Sequence, residues 1–204
     1  MSDPHALLSR YITPGGLCLD IGANLGKHAW WMLDLGATVI AVEPDPQVAA
    51  RIPQHENLTV LECAVSGRVG QTQFFVSPGH EYVSTVEPGY LQSVQTHATY
   101  GYNPPVMVET TTLDRLIELY GLPVFCKVDV EGHERAVFDG LSTPLPALSF
   151  EVHDFDLNKA DHVLARLAEL GEYEVMWSPR EEFELQAWDP SLVSVFGDIY
   201  AVLR

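Results

Sequence analysis

Positive charge is what this sequence has least of: 11 lysines and arginines stand against 28 aspartates and glutamates, a formal net charge of -17. A chain so acidic repels phosphate backbones and anionic lipid surfaces, which argues against a nucleic-acid partner. Long apolar runs are missing as well, so no segment is expected to span a bilayer. The stretch from Met1 to Tyr11 lacks the basic segment, apolar run and small-residue cleavage site of a secretory leader, and a cytoplasmic location is expected. Cysteine is scarce: there are three, with no CxxC pair, and nothing in that set proposes zinc or redox work. Cys18, Cys63 and Cys126 each lie inside an apolar run and read as small buried hydrophobes. Repeats and low-complexity tracts are absent too.

What is present is a globular composition. With 204 residues, 47% of them hydrophobic, the chain can bury one sizeable core but not two, and a single domain over 1–204 is expected. Short aliphatic runs alternate with helical patterns, the mark of a doubly wound α/β fold with parallel strands and crossover helices. Strands are predicted at 17–21, 38–43, 58–63, 124–130 and 147–152. Helices are predicted at 25–35, from about 45, at 113–120 behind a Thr112 cap, at 134–138 and at 158–170. Two further strands, 73–76 and 106–110, flank a Gly-, Pro-, Tyr- and Ser-rich excursion at 77–105, read as a lid or acceptor-binding insert. Strands at 173–177 and 198–203, joined by an irregular stretch, suggest a hairpin-like end with the last strand antiparallel.

The strongest local signal is Asp20-Ile21-Gly22-Ala23-Asn24-Leu25-Gly26, where the first strand turns into the first helix. Glycines at 22 and 26 clear side chains from backbone that a ligand must touch, and a helix start offers unpaired N–H groups. Asp20 adds a carboxylate beside that turn, suited to a cationic amino group; S-adenosylmethionine has one and a dinucleotide pyrophosphate does not. Glu43 ends the second strand, where doubly wound folds place the acid that binds ribose hydroxyls. The third glycine of GxGxxG is missing, which counts against a nicotinamide cofactor. Ala64-Val65-Ser66 leaves the third strand where an adenine would lie. An NAD-dependent oxidoreductase and a non-catalytic nucleotide-binding module are the competing readings of this pattern.

Strand alternation puts Lys127, Asp129 and Glu131 on one side of the fourth strand and Ser149, Glu151 and His153 on one side of the fifth. Their last members should meet at the carboxyl edge, where open α/β sheets bind ligands. Glu131 and His153 are the candidate bases for an acceptor hydroxyl, and Asp129 serves either the cofactor's charged end or proton transfer. Lys127, inside an apolar run, needs a carboxylate partner, Asp129 or Glu151. The same acids with Asp154 could hold Mg²⁺, although no metal is expected. Tyr82, Tyr90, Tyr100 and Tyr102 could stack on a sugar or planar acceptor. Asn103-Pro104-Pro105-Val106 has the look of an amino-methyltransferase motif but precedes the wrong strand and lacks its aromatic. His28 belongs to no constellation visible in the sequence.

Five stretches together resemble the FkbM family of S-adenosylmethionine-dependent O-methyltransferases: LCLDIGANLG at 17–26, VIAVEPDP at 39–46, TTLDRLIELYG at 111–121, FCKVDVEGHERAVFDGL at 125–141 and LSFEVH at 148–153. The resemblance implies a Rossmann-like seven-stranded methyltransferase sheet of order 3-2-1-4-5-7-6. It also implies methylation of oxygen on sugars, glycolipids or polyketide-like metabolites, a small-molecule acceptor in each case. Carried over by position, Asp20, Gly22, Asn24, Gly26 and Glu43 become cofactor contacts; Ala23, Ala64, Val65 and Asp129 complete the expected set. Residues 77–105 and 180–195 match no family pattern, and acceptor identity and oligomeric state stay open.

Overall fold

Short β-branched runs bounded by glycine and proline fold here as strands that are buried on both faces, the pattern of a sheet covered by helices on two sides. The structure, a computed structural model, describes residues 3–90, 100–179, 182–193 and 196–204. In chain order the strands are β1 (Leu17–Ile21), β2 (Thr38–Val42), β3 (Leu58–Leu61), β4 (Ala64–Val65), β5 (Gly70–Phe74), β6 (Val106–Thr111), β7 (Phe125–Val128), β8 (Ala147–His153), β9 (Tyr173–Pro179), β10 (Gln186–Ala187) and β11 (Phe196–Leu203). The main sheet runs β10-β9-β11-β8-β7-β1-β2-β3, with β11 antiparallel to both its neighbours.

The α/β Rossmann-like class is therefore present, while the expected seven-stranded order is corrected in two ways. The sheet has eight strands, because β10 adds a two-residue hairpin partner outside β9. And β4, β6 and β5 form a separate three-stranded sheet, so Ala64 and Val65 are not a plain exit from β3 but a strand paired in parallel with Thr110 and Thr111. β5 lies three residues earlier than predicted and pairs antiparallel with β6, carrying the chain into and out of the 77–105 excursion.

Helix starts follow local chemistry. Lys27–Asp34 begins after Gly26, whose φ of 81° no side chain easily adopts, and so starts two residues later than predicted. Asp45 caps Pro46–Ala49 by accepting from the Gln47 N–H at 2.8 Å, and Thr112 caps Leu113–Tyr120 by accepting from Arg115 N–H at 3.1 Å. Alternation along β1 sends Leu19 and Ile21 to one core layer and Cys18 to the other. The first layer includes Phe138 and Phe150, the second Met32 and Phe125. An ion pair between Lys159 and Glu134, 2.7 Å apart and 1% and 0% exposed, joins the helices Leu157–Leu170 and Glu134–Asp139. Removing one partner of so buried a pair would leave an uncompensated charge and cost roughly 3–5 kcal/mol.

Candidate active site

The carboxyl ends of β1, β2 and β7 converge, and backbone dictates how closely. Gly22 has φ 78°, and a Cβ built there would lie 1.7 Å from the Asp129 carbonyl oxygen, so only glycine lets the two loops touch. Gly22 and Ala23 N–H donate to the Val42 carbonyl at 2.9 and 3.0 Å, locking the turn to the tip of β2. Asn24, left-handed at φ 49°, turns its N–H onto Glu43 Oε2 at 2.9 Å, and Asp45 N–H donates to Oε1 at 2.9 Å. Each Glu43 oxygen keeps acceptor capacity for a second donor. Burial pushes the Glu43 carboxyl up to about 7, opposed by those two amides. Glu43 lines a small cavity of about 120 Å³ together with Asn24, Cys63, Ala64, Val65 and Asp129.

A larger cavity, about 960 Å³, opens beside it and shares Gly22, Asn24, Tyr82, Asp129 and Glu131. At its base Lys127 Nζ lies 2.7 Å from Asp129 Oδ2. Burial alone would depress Lys127, but Asp129, Asp198 and Asp20 outweigh it and hold the ammonium charged. Burial opposes ionisation of Asp129, and the Lys127 charge overcomes it and holds the carboxyl below its usual range. The other oxygen, Asp129 Oδ1, is buried and, like both oxygens of Asp20, has no hydrogen-bond partner among the described residues.

Asp20 stands beside the turn, as expected, but is enclosed. It is 0% exposed, lines neither cavity, and sits in register with Lys127 on the face of β1 that it shares with Cys18, beneath the helix Lys27–Asp34. Burial raises its carboxyl to about 6, against the pull of Lys127. Asp20 thus lies beneath the surface that the two cavities present.

The expected bases do meet. His153 Nε2 lies 2.8 Å from Glu151 Oε2, and the ring stacks on Phe155 at 4.7 Å. Glu131 takes a left-handed backbone at φ 52°, its carbonyl accepts from Thr85 Oγ1 at 2.7 Å, and its carboxyl accepts from the Tyr90 hydroxyl. Burial, then repulsion from Glu151 and Asp129, pushes the Glu131 carboxyl well above the usual range. Burial and Asp129 likewise bring Glu151 to about 7. One ligand atom from each of Glu131, Glu151 and His153 falls within 4.8 Å of the others, close enough to gather around one cation.

Several lining groups escape sequence reasoning. His28 borders the larger cavity from the first turn of the helix after Gly26, a position that could have marked it. Burial pulls its pKa well below the usual value, and Lys127 reinforces that effect. Asp198 joins because it stands opposite Glu151 in the β8–β11 register. Tyr82, Tyr90 and Tyr100 line the cavity as the stacking reading requires, whereas Tyr102 points its hydroxyl at the Val83 carbonyl. Residues 91–99 of the expected insert, and 180, 181, 194 and 195 of the unmatched C-terminal stretch, lie outside the described residues.

The chain matches the methyltransferase FkbM domain over residues 20–175. Hexuronic acid methyltransferase AglP of Haloferax volcanii is 30% identical over 141 residues, covering 66% of this chain and 54% of that protein. The chain thus spans about half the length of that curated relative. Among solved structures, precorrin-6y C5,15-methyltransferase from Geobacter metallireducens aligns over 98% of this chain and 86% of its own, with a TM-score of 0.50 and 15% identity, a likeness of fold alone.

Proposed function

The chain belongs to the FkbM methyltransferase family, and from that premise we propose that it binds S-adenosylmethionine across β1, β2 and β7 and methylates a hydroxyl of a small organic acceptor. One observation carries the reading: Glu43 and Asp129 both line the small cavity, with a side-chain-free turn at Gly22 between them, and Asp129 keeps one carboxylate oxygen without a partner among the described residues. A ribose diol suits the first acid and an ammonium the second. Ala64 and Val65 offer an apolar seat for adenine, and Gly22, Ala23, Asn24 and Gly26 offer backbone. Asp20 acts from behind, through the charge of Lys127. Bound there, S-adenosylmethionine supplies an electrophilic methyl group on a sulfonium.

The chain's own groups then handle the proton. An alcohol attacks well only as its proton leaves, and a positioned base supplies roughly 10²–10⁴-fold. His153 fills that role better than Glu131, because the Glu131 carboxyl is already engaged by the Tyr90 hydroxyl. With Glu151 accepting from Nε2–H, the Nδ1 lone pair of His153 is left to receive the hydroxyl proton. Glu131 instead ties Tyr90 and Thr85 of the 77–105 segment to the site, which we read as the acceptor insert of a single domain.

The hexuronic acid named for the Haloferax relative supports a sugar among the acceptor classes, beside glycolipids and polyketide-like metabolites. Incubating the chain with methyl-labelled S-adenosylmethionine and a panel of hydroxylated metabolites tests the proposal. A new labelled O-methyl signal is expected; label on nitrogen or carbon, or on nothing, would contradict it.

A further inference from the structure

Two kinds of side chain dominate the larger cavity, and proton transfer uses only part of them. Five carboxylates line it, from Asp129, Glu131, Glu151, Asp154 and Asp198. Two ammonium groups do, and both are engaged: Lys127 Nζ lies 2.7 Å from Asp129, and Lys27 Nζ stands 4.9 Å over the ring of Trp31. Among the described residues no hydrogen bond reaches Asp154 or Asp198. Asp198 sits opposite Glu151 on β11, inside the cavity, while Asp154 is exposed at its rim. Aromatic rings from Tyr82, Tyr100, Phe155, Phe183 and Phe196 make up much of the remaining wall, beside His28, His153, Leu25 and Val83.

Carboxylates accept the N–H groups of an ammonium in short, strong hydrogen bonds, and the negative faces of aromatic rings attract the same charge. An anionic acceptor meets the opposite environment: like charge on the wall and cations already paired. A single sulfonium neighbour offsets only part of that surplus.

From this wall we infer that the acceptor is an amine-bearing polyol of the amino-sugar class, its protonated amine held at Asp198 and its ring face on the aromatic side chains. A carboxylated sugar is disfavoured at this wall, in contrast to the hexuronic acid named for the Haloferax relative. The inference rests on the proposed methyltransferase site and names what that site takes.

The test is a titration of the full chain, saturated with S-adenosylhomocysteine, against glucosamine, glucose and glucuronate by ligand-observed NMR. Glucosamine is expected to bind at least about tenfold more tightly than glucose, as a charge-assisted hydrogen bond provides, with no binding of glucuronate. N-acetylglucosamine should lose the advantage, and Asp198→Asn should bring glucosamine down to the level of glucose. Glucuronate binding as well as glucosamine, an unchanged preference in Asp198→Asn, or no binding of any of the sugars would overturn the inference. Failure of S-adenosylhomocysteine itself to bind would instead overturn the proposed function.

Discussion

The two halves of the cleft are built by different means. On the β1–β2 side the geometry is set by backbone: a left-handed glycine against a carbonyl, and two peptide N–H groups holding Glu43 from both sides. On the β7–β8 side it is set by charged side chains crowded together, with Asp129, Glu131, Glu151 and Asp198 around Lys127 and His153, and closed by residues from the distant 77–105 segment. The first arrangement suits a ligand that is the same in every turnover. The second leaves the identity of its ligand to the side chains and inserts that surround it.

That division can be broken at its strictest point with Gly22→Ala. An added Cβ collides with the Asp129 carbonyl and must adopt φ 78°, so binding of S-adenosylhomocysteine should fall below detection in a thermal-shift titration. A variant that keeps wild-type affinity would show that the loops are not held in contact. On the other side, His153→Ala should lower methyl transfer by roughly 10²–10⁴-fold while leaving cofactor affinity within about twofold. Intact turnover would remove His153 as the base. Glu43→Gln keeps the shape of the side chain but not its charge, and should weaken cofactor affinity roughly tenfold, as expected for loss of a charged hydrogen-bond acceptor. Calorimetry on the purified variant reads that change, and an unaltered affinity would detach Glu43 from the ligand.

The smallest expected effect is on stability. Asp20, Glu43 and Glu151 titrate at about 6, 7 and 7 in the folded chain, above ordinary carboxylates. The native state therefore binds more protons than the unfolded state between roughly pH 4 and 7. These groups contribute most below that window, and their contribution is lost as pH rises through it. The unfolding midpoint of the ligand-free chain should accordingly drop between pH 5 and pH 8. A midpoint that rises over the same interval would mean that these acids are not desolvated.

The same contrast explains what could be read from the sequence. The turn at 20–26, the Thr112 cap, the pairing of Lys127 and the meeting of β7 with β8 were legible, because each follows from local chemistry or strand periodicity. Long-range placements were not. β10 is two residues long and exists only through pairing with β9, and β4 needs β6, which begins 42 residues after it does. Tyr90 reaches Glu131 across a separation of 41 residues, and Asp198 enters the cavity through the β8–β11 register. Asp20 is the instructive case: its proximity to the turn was plain, and its register with Lys127 puts both on one face of the sheet, but Asp20 lies deeper and lines neither cavity. Asp129, two residues beyond Lys127, lines both cavities.

A crystal structure of the chain with S-adenosylhomocysteine tests the central claim most directly. The account predicts the ribose hydroxyls on Glu43 and the amino group on Asp129 Oδ1, with Asp20 still enclosed behind the turn. An amino group bound by Asp20, or a ligand seated away from Gly22, would contradict it.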